Sequence, residues 1–568
     1  MPSCFPMGRL ISQARAEQSK KEDISFECLL GHKLENNTDF ASRQDLGILN
    51  RIATASAIDL PKNIKPGEFV VAPLDIMPHD IPGGKKGAML LELNGTGYGN
   101  ITTLHPETLK TINHSFAMIA DELKDVPNAL VLVPCSGRED PPNFAASKKI
   151  HEKIMIGSSI SERFKALGHE KVTEIGIDTF QKKSSNPLKN LRQGLKTDLK
   201  AGVESVRHFD QDGIRAMRKK LRKTGWNAKD AGPTVVVGYT AQLAKAIKIG
   251  KDGEPMMFGR RVHAIVNDRA SLNVDALNAR KGKKLDPNTF IACNRSYVPA
   301  ADKGTAYAYM NEFNGTDAAK KTPEYAREIV NKQANSLAEI EEKVLEMLKE
   351  GRHAIIKPSG TGHGDGIVPI FAHEWDGHPD FKPASEGGYP PISEQIKKSF
   401  ESVKATYKER GGFPYTVGEY VIADRIKSDN PDFNTMKYEY RIAVYADYSN
   451  PEKPQLKAAP AIIKIDAGSQ LQEGQDGKFS KQLASVSTQV LQTGRPASDF
   501  MKPLANAETM EMINLPEEEL TKLCQWATKA VGYILENVDA KTEVGGSKPG
   551  DAKGKAPVKN DGASTSGA

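Results

Sequence analysis

The chain has 568 residues, more than one hydrophobic core can organise, so three or four domains or lobes are expected. Its 78 basic and 72 acidic residues leave a net charge of +6, too small and too evenly spread for a dedicated nucleic-acid binder. No run of eighteen apolar residues exists, which excludes an apolar membrane-spanning helix, and the reading is of a soluble, cytoplasmic protein.

Residues 1–40 are polar and irregular and read as a surface arm. "RQDLGILNRIATASAI" (43–58) reads as a helix. "GEFVVAPLDIMPHDIPGGKKGAMLLELNGTGYGN" (67–100) then reads as a hairpin, with an apolar strand ending at Asp75, a glycine turn, and a second strand carrying Glu92 and Asn94. Residues two apart on a strand share a face, so Glu92 and Asn94 could share one metal ion.

Helix and strand patterns alternate through 126–300, the signature of α/β architecture. "ALVLVPCSG" (129–137), "TVVVGYTAQLAKAIKIG" (234–250), "RRVHAIVNDRA" (260–270) and "NTFIACN" (288–294) supply the strands of an open, doubly wound sheet. The five cysteines show no Cys-x-x-Cys or zinc spacing and read as reduced thiols. Basic stretches such as "AMRKKLRKTG" (216–225) read as solvated helix faces, and the acid- and histidine-rich "FAHEWDGHPDF" (371–381) as a polar loop.

An amphipathic helix bearing Ile340, Val344, Leu345 and Leu348 ends at Gly351 and leads into "AIIKPSGTGHGDGI". Here a strand delivers Lys357 directly before Gly360, Gly362, Gly364 and Gly366. Glycine lets backbone amides approach anionic oxygens, and the lysine adds a point charge, so the pattern suits a polyphosphate; a flexible hairpin is the plain alternative. It is not a Walker loop, because Gly-Lys-Ser/Thr is missing. Three strands follow. "VGEYVIADRI" (417–426) carries Glu419, "KYEYRIAVYAD" (437–447) places Glu439 and Arg441 on one face, and "AAPAIIKIDAG" (458–468) carries Lys464 and Asp466. Buried unpaired, these charges would be costly; around a nucleotide triphosphate and divalent cations they would be satisfied. From Lys541 the chain has nothing to bury and reads as a disordered tail.

Over 330–470 the sequence resembles the ATP-grasp superfamily, whose members share the Lys-Pro strand, glycine loop, Glu-bearing hinge strand and Glu-x-Arg strand in this order. The resemblance implies ATP-grasp lobes with a preceding or inserted doubly wound α/β domain. It implies ATP and Mg²⁺ as cofactors: Lys332 and Lys357 on phosphates under the Gly360–Gly366 loop, Glu419 and the backbone near Val421 on adenosine, and Arg441 on the transferred phosphoryl group. The family's closing Glu-x-Asn strand does not follow Asp466. It appears at 67–100 instead, which implies a circular permutation with Asp75, Glu92, Asn94 and Glu439 near magnesium. Another Glu-x-Asn, Glu312 and Asn314, competes. The segments are then 41–125 for the metal-binding hairpin, 126–300 for a Rossmann-like substrate domain, 301–540 for the nucleotide-binding region, and 541–568 for the tail.

The activity implied is that of a ligase that activates a small-molecule carboxylate as an acyl-phosphate for attack by an amine or thiol, most readily with carbon–nitrogen bond formation. Nucleic-acid and membrane partners are not expected, and a homo-oligomer is compatible. The alternatives are a kinase acting on a small hydroxyl substrate and a nucleotide-binding regulatory protein.

Overall fold

A computed structural model of the chain describes residues 41–81, 85–95, 98, 101–135, 144–176, 232–257, 259–301, 303–358, 367–370, 413–431, 433–466 and 500–538, with six single positions between 394 and 404. The arm at 1–40, the basic stretch at 216–225, the glycines at 360–366, the loop at 371–381 and the tail at 541–568 lie outside these residues. The fold is α/β.

In chain order the strands are β1 (Ile58–Asp59), β2 (Val71–Ile81), β3 (Lys85–Leu93), β4 (Leu130–Cys135), β5 (Thr173–Gly176), β6 (Thr234–Tyr239), β7 (Lys248–Ile249), β8 (Pro255–Met257), β9 (Arg260–Arg261), β10 (Ala264–Val266), β11 (Ile291–Cys293), β12 (Asn331–Ala334), β13 (Ala354–Pro358), β14 (Val368–Ile370), β15 (Tyr415–Glu419), β16 (Lys437–Asp447), β17 (Gln455–Asp466) and β18 (Met501–Pro503). The helices used below are α1 (Leu46–Ala55), α2 (Pro106–Glu122), α3 (Phe144–Ala166), α4 (Lys303–Asn314), α5 (Leu337–Lys349) and α6 (Glu517–Asn537).

An antiparallel sheet in the order β1-β17-β16-β2-β3, with β18 beside β17, unites the early hairpin with the late strands. Its period-two pattern sorts two faces. Leu74, Ile76, Tyr440, Ile442 and Ile463 join a core with α1, α4 and the apolar stripe of α6. On the other face Ala443, Tyr445 and Ile462 join the core of a second, parallel sheet in the order β11-β10-β4-β6-β5. β4 is apolar along its whole length, as a parallel strand covered on both sides must be.

Sequence boundaries shift here. The helix α2, expected with the hairpin, packs through Phe116, Ile119 and Ala120 into the doubly wound core. The 301–540 stretch is divided: β12 to β15 build a separate four-stranded sheet, β12-β15-β13-β14, while β16 to β18 go to the large antiparallel sheet. "RRVHAIVNDRA" breaks into β9 and β10, and "VGEYVIADRI" is strand only as far as Glu419.

The four-stranded sheet carries α5 on one face, where Ile340, Val344 and Leu348 pack on Ala354, Ile356, Tyr415 and Val417. Ser336 caps α5 by accepting from the Glu339 amide at 3.1 Å, and Glu339 accepts from the Asn335 amide at 2.9 Å, two bonds that fix where β12 ends and the helix begins. Among the described residues no helix is long and apolar enough to cross a membrane.

Candidate functional site

The face of the large sheet that carries Ala443 and Tyr445 into the doubly wound core continues beyond that core as a charged surface. Strand parity puts Lys437, Glu439 and Arg441 of β16 on it. Cross-strand register then sets Asp466 opposite Lys437, Lys464 opposite Glu439, and Asp75 opposite Arg441, with Glu92 opposite Asp75. Along β16 acids meet bases at each step, which is how a sheet accommodates charges in close ranks, whereas Glu92 and Asp75 face each other as two acids.

Asp75 lies inside β2 rather than at its end, beside a bulge between Asp75 and Ile76. Its Oδ1 accepts from Arg441 Nε at 2.7 Å, and its Oδ2 accepts from Arg441 Nη2 at 2.8 Å. Lys464 Nζ is 2.8 Å from Oδ2, and the Asn94 amide donates to the same oxygen at 3.4 Å. Burial alone would raise the Asp75 carboxyl, but Arg441 and then Lys464 outweigh it and hold the group well below the usual carboxylate range. Burial would likewise lower the Arg441 guanidinium, and Asp75, Glu439 and Glu92 together keep it above its ordinary value. Lys464 also pairs with Glu439. The role expected for Asp75, a metal ligand, is therefore corrected on physical grounds: both of its oxygens are committed to cations, and it serves as their counter-ion.

Glu92 and Asn94 are different. Glu92 is half-buried and makes no ion pair or hydrogen bond with the described residues, although its charge acts on Lys357 and Arg441. The backbone of Asn94 bonds Pro73, and its amide nitrogen bonds Asp75. A carboxylate and an amide oxygen are hard donors of the kind Mg²⁺ takes. No three His, Cys, Asp or Glu side chains group closely enough to hold a metal among the described residues, so these two would hold a cation only together with ligands from elsewhere. Glu439 is a weaker fit because Lys464 engages it.

Lys357 reaches the same region from the small sheet. Register pairs Lys357 with Thr416 and Ile355 with Gly418, on the face away from α5. Ile355 and Tyr420 form a small apolar cluster there, joined by Ile367 and Ile422. A Cβ at position 418 would stand 2.8 Å from the Val330 carbonyl, so the close approach of the chain here requires glycine. Burial pushes the Lys357 ammonium down to about 8, against an upward pull from Glu92. Lys357 Nζ donates to the Tyr307 hydroxyl at 3.4 Å, and Tyr307 in turn donates to the Leu91 carbonyl at 2.9 Å. One tyrosine of α4 thus ties the Lys357 strand to the strand bearing Glu92. Lys303, one helical turn earlier, is exposed and its charge acts on Tyr307. Sequence reading missed both, since neither lies in a glycine-rich or strand motif.

Two other expectations change. Lys332 pairs in register with Val417, which belongs to the α5 face, and its ammonium is 2.7 Å from Glu346 of α5. It therefore stands on the opposite face of the sheet from Lys357. Glu419 pairs with Arg327, a residue that no motif singled out. Val421 is buried in the core beneath the hairpin. Just beyond, Asp424 binds the hairpin through Lys86 at 2.8 Å and through the Pro78 carbonyl, which accepts from its amide at 2.8 Å. Glu312 and Asn314 lie on α4, where Glu312 accepts from Tyr533 at 3.2 Å and Asn314 donates to the Arg327 carbonyl at 2.7 Å; they form no metal strand. Gly360, Gly362 and Gly364 lie outside the described residues.

The charged surface thus gathers Lys357, Arg441 and Lys464 as cations, Glu92 and Asn94 as oxygen donors, and an apolar floor at Ile355 and Tyr420. No family model matches the chain, and no curated protein does. Among solved structures, a glutathione synthetase-like effector from Globodera pallida, determined in its apo form, aligns with 82% of this chain and 86% of that one, at 10% identity and a TM-score of 0.30. A likeness of that depth carries no functional argument.

Proposed function

We propose that the chain is an ATP- and Mg²⁺-dependent ligase that activates a carboxylate substrate as an acyl-phosphate for attack by an amine. The observation that supports it is the Lys357–Tyr307–Leu91 link. It joins a lysine beside a glycine-rich segment to a Glu-x-Asn strand far away in sequence, on a surface where cations and acids are gathered in close ranks. In this reading the nucleoside lies on the Ile355–Tyr420 floor. Lys357 and Lys303 meet the phosphates, and Glu92 and Asn94 hold magnesium. When bound, that ion supplies charge neutralisation along the phosphate chain.

A carboxylate oxygen of the substrate attacks the γ-phosphorus, the bond to the bridging oxygen breaks, and ADP leaves. The amine nitrogen then attacks the acyl carbon, phosphate departs, and the nitrogen loses its proton to solvent. Neither step asks the protein for a covalent bond, so its contribution is position and charge. In this reading Arg441, held by Asp75 through Nε and Nη2, supplies permanent positive charge beside the migrating phosphoryl group.

A hydroxyl acceptor would turn the same site into a kinase. The doubly wound unit, packed on the large sheet as a second body able to bind a substrate, favours the ligase.

Lys357 provides a test that needs no knowledge of the acceptor. With its pKa near 8, the free lysine is half-charged at pH 8. A polyphosphate beside it favours the charged form, so binding should take up about half a proton at pH 8 and close to one at pH 9. Calorimetric titrations of ATP in buffers of different ionisation enthalpy read that number directly. It should vanish in Lys357→Met, which separates this lysine from Lys437, another buried ammonium lowered to about 8. Heats independent of buffer at both pH values would contradict the assignment.

A further inference from the structure

The parallel sheet has its own cluster of polar groups, apart from the charged surface. Its strand order places β4 between β10 and β6, so chain connections leave β4 and β10 in opposite directions and open a crevice at their carboxyl ends, where open α/β sheets take ligands. Lys153 of α3, only 1% exposed, stands there. Its ammonium lies 4.0 Å above the Tyr98 ring and 3.4 Å from Asp268 Oδ2, yet it has no hydrogen-bond acceptor among the described residues.

Beside Asp268, fully buried Asn267 accepts with its Oδ1 from the Ser271 amide at 3.2 Å and hydroxyl at 2.6 Å. Its Nδ2 finds no acceptor among the described residues. Among the described residues the Lys153 ammonium and the Asn267 amide thus keep unused donor capacity, which is costly to bury, and a group that serves them offers acceptors. Asp268 already offsets part of the Lys153 charge, so a singly charged anion suits the site better than a dianion. A carboxylate meets both conditions.

We infer that the carboxyl edge of the doubly wound sheet, between β4 and β10, binds a carboxylate of a small-molecule ligand through Lys153 Nζ and Asn267 Nδ2. That this ligand is the ligase substrate rests on the reading above; the binding itself does not.

The test uses the full chain without nucleotide, with succinate and L-glutamate as probes and inorganic phosphate as the comparison anion, followed by ligand-observed NMR titration. At least one carboxylate should bind, and Lys153→Met should weaken it by about tenfold or more. If Lys153→Met does not fold, Asn267→Asp decides: it keeps the acceptor for Ser271, replaces the donor with a repelling charge, and should lose binding to the same extent. No carboxylate binding to the wild type, affinity unchanged in the folded variants, or phosphate binding as tightly with the same dependence would overturn the inference. A parallel MgATP titration separates the two claims. Carboxylate binding without ATP binding sinks the ligase reading alone, and ATP binding without carboxylate binding sinks this one.

Discussion

Asp75→Asn should destabilise the protein by about 3–5 kcal/mol, the usual cost of removing one partner from a buried ion cluster. Arg441 and Lys464 would be left facing each other with Glu439, and Glu92 beside Arg441, as the acids still acting on them. Urea unfolding reads the loss, and the double variant Asp75→Asn/Arg441→Met should recover a substantial part, because it removes the stranded cation as well. The pH dependence follows from the depressed Asp75 pKa. The folded state binds this proton less readily than the unfolded chain does. The contribution of Asp75 is therefore complete above the unfolded pKa of about 4 and is lost as pH falls from there through the lower folded value. The wild type should lose stability over that acid range, and Asp75→Asn should lack that part of the decline. A single variant within about 1 kcal/mol of wild type, with an unchanged acid profile, would show that the three charges are not a stabilising unit.

Glu92→Gln should leave the fold nearly untouched, since Glu92 forms no ion pair or hydrogen bond with the described residues that holds elements together. The magnesium requirement should change greatly. Losing a direct carboxylate ligand should weaken magnesium by at least about a hundredfold, given that supporting partners alone are worth about 10–100-fold. Nucleotide affinity in the absence of magnesium should rise slightly or stay level, because a negative charge near the phosphates has gone. Manganese or magnesium titrations in the presence of ATP, followed by calorimetry, separate the two effects. An equal loss of ATP affinity with and without the metal would show that Glu92 acts on the nucleotide or the fold and not on a cation.

These residues were legible to different degrees in the linear chain, for physical reasons. Period-two spacing places Glu439 with Arg441 and Glu92 with Asn94, and the structure brings both pairs to one face because the β2–β3 hairpin pairs with β16. Which face a residue takes on a short, half-buried strand is not encoded in spacing. Lys332 sits on a four-residue strand whose face is decided only by its pairing with β15, and it turns to Glu346 of α5. The role of Asp75 was hidden for another reason: its partner Arg441 lies 366 positions away, and an acid waiting for two cations looks the same in sequence as an acid waiting for a metal. Tyr307 belongs to a helix and carries its hydroxyl to Leu91 and Lys357 through tertiary packing alone. The run after Glu419 read as strand because it is apolar, but Val421 and Ile426 pack in the core beneath the hairpin, Tyr420 and Ile422 pack on Ile355, and Asp424 pairs with Lys86.

The central claim is that Lys357 and the Glu92–Asn94 strand form one site for magnesium and ATP. Calorimetric titration of MgATP into the full chain, wild type beside Lys357→Met, tests it most directly. Saturable binding is expected, weakened by about 10–100-fold in the variant, corresponding to the 1.5–3 kcal/mol of a hydrogen bond to a charged group. Failure of the wild type to bind MgATP, or equal affinity in the two proteins, would contradict it.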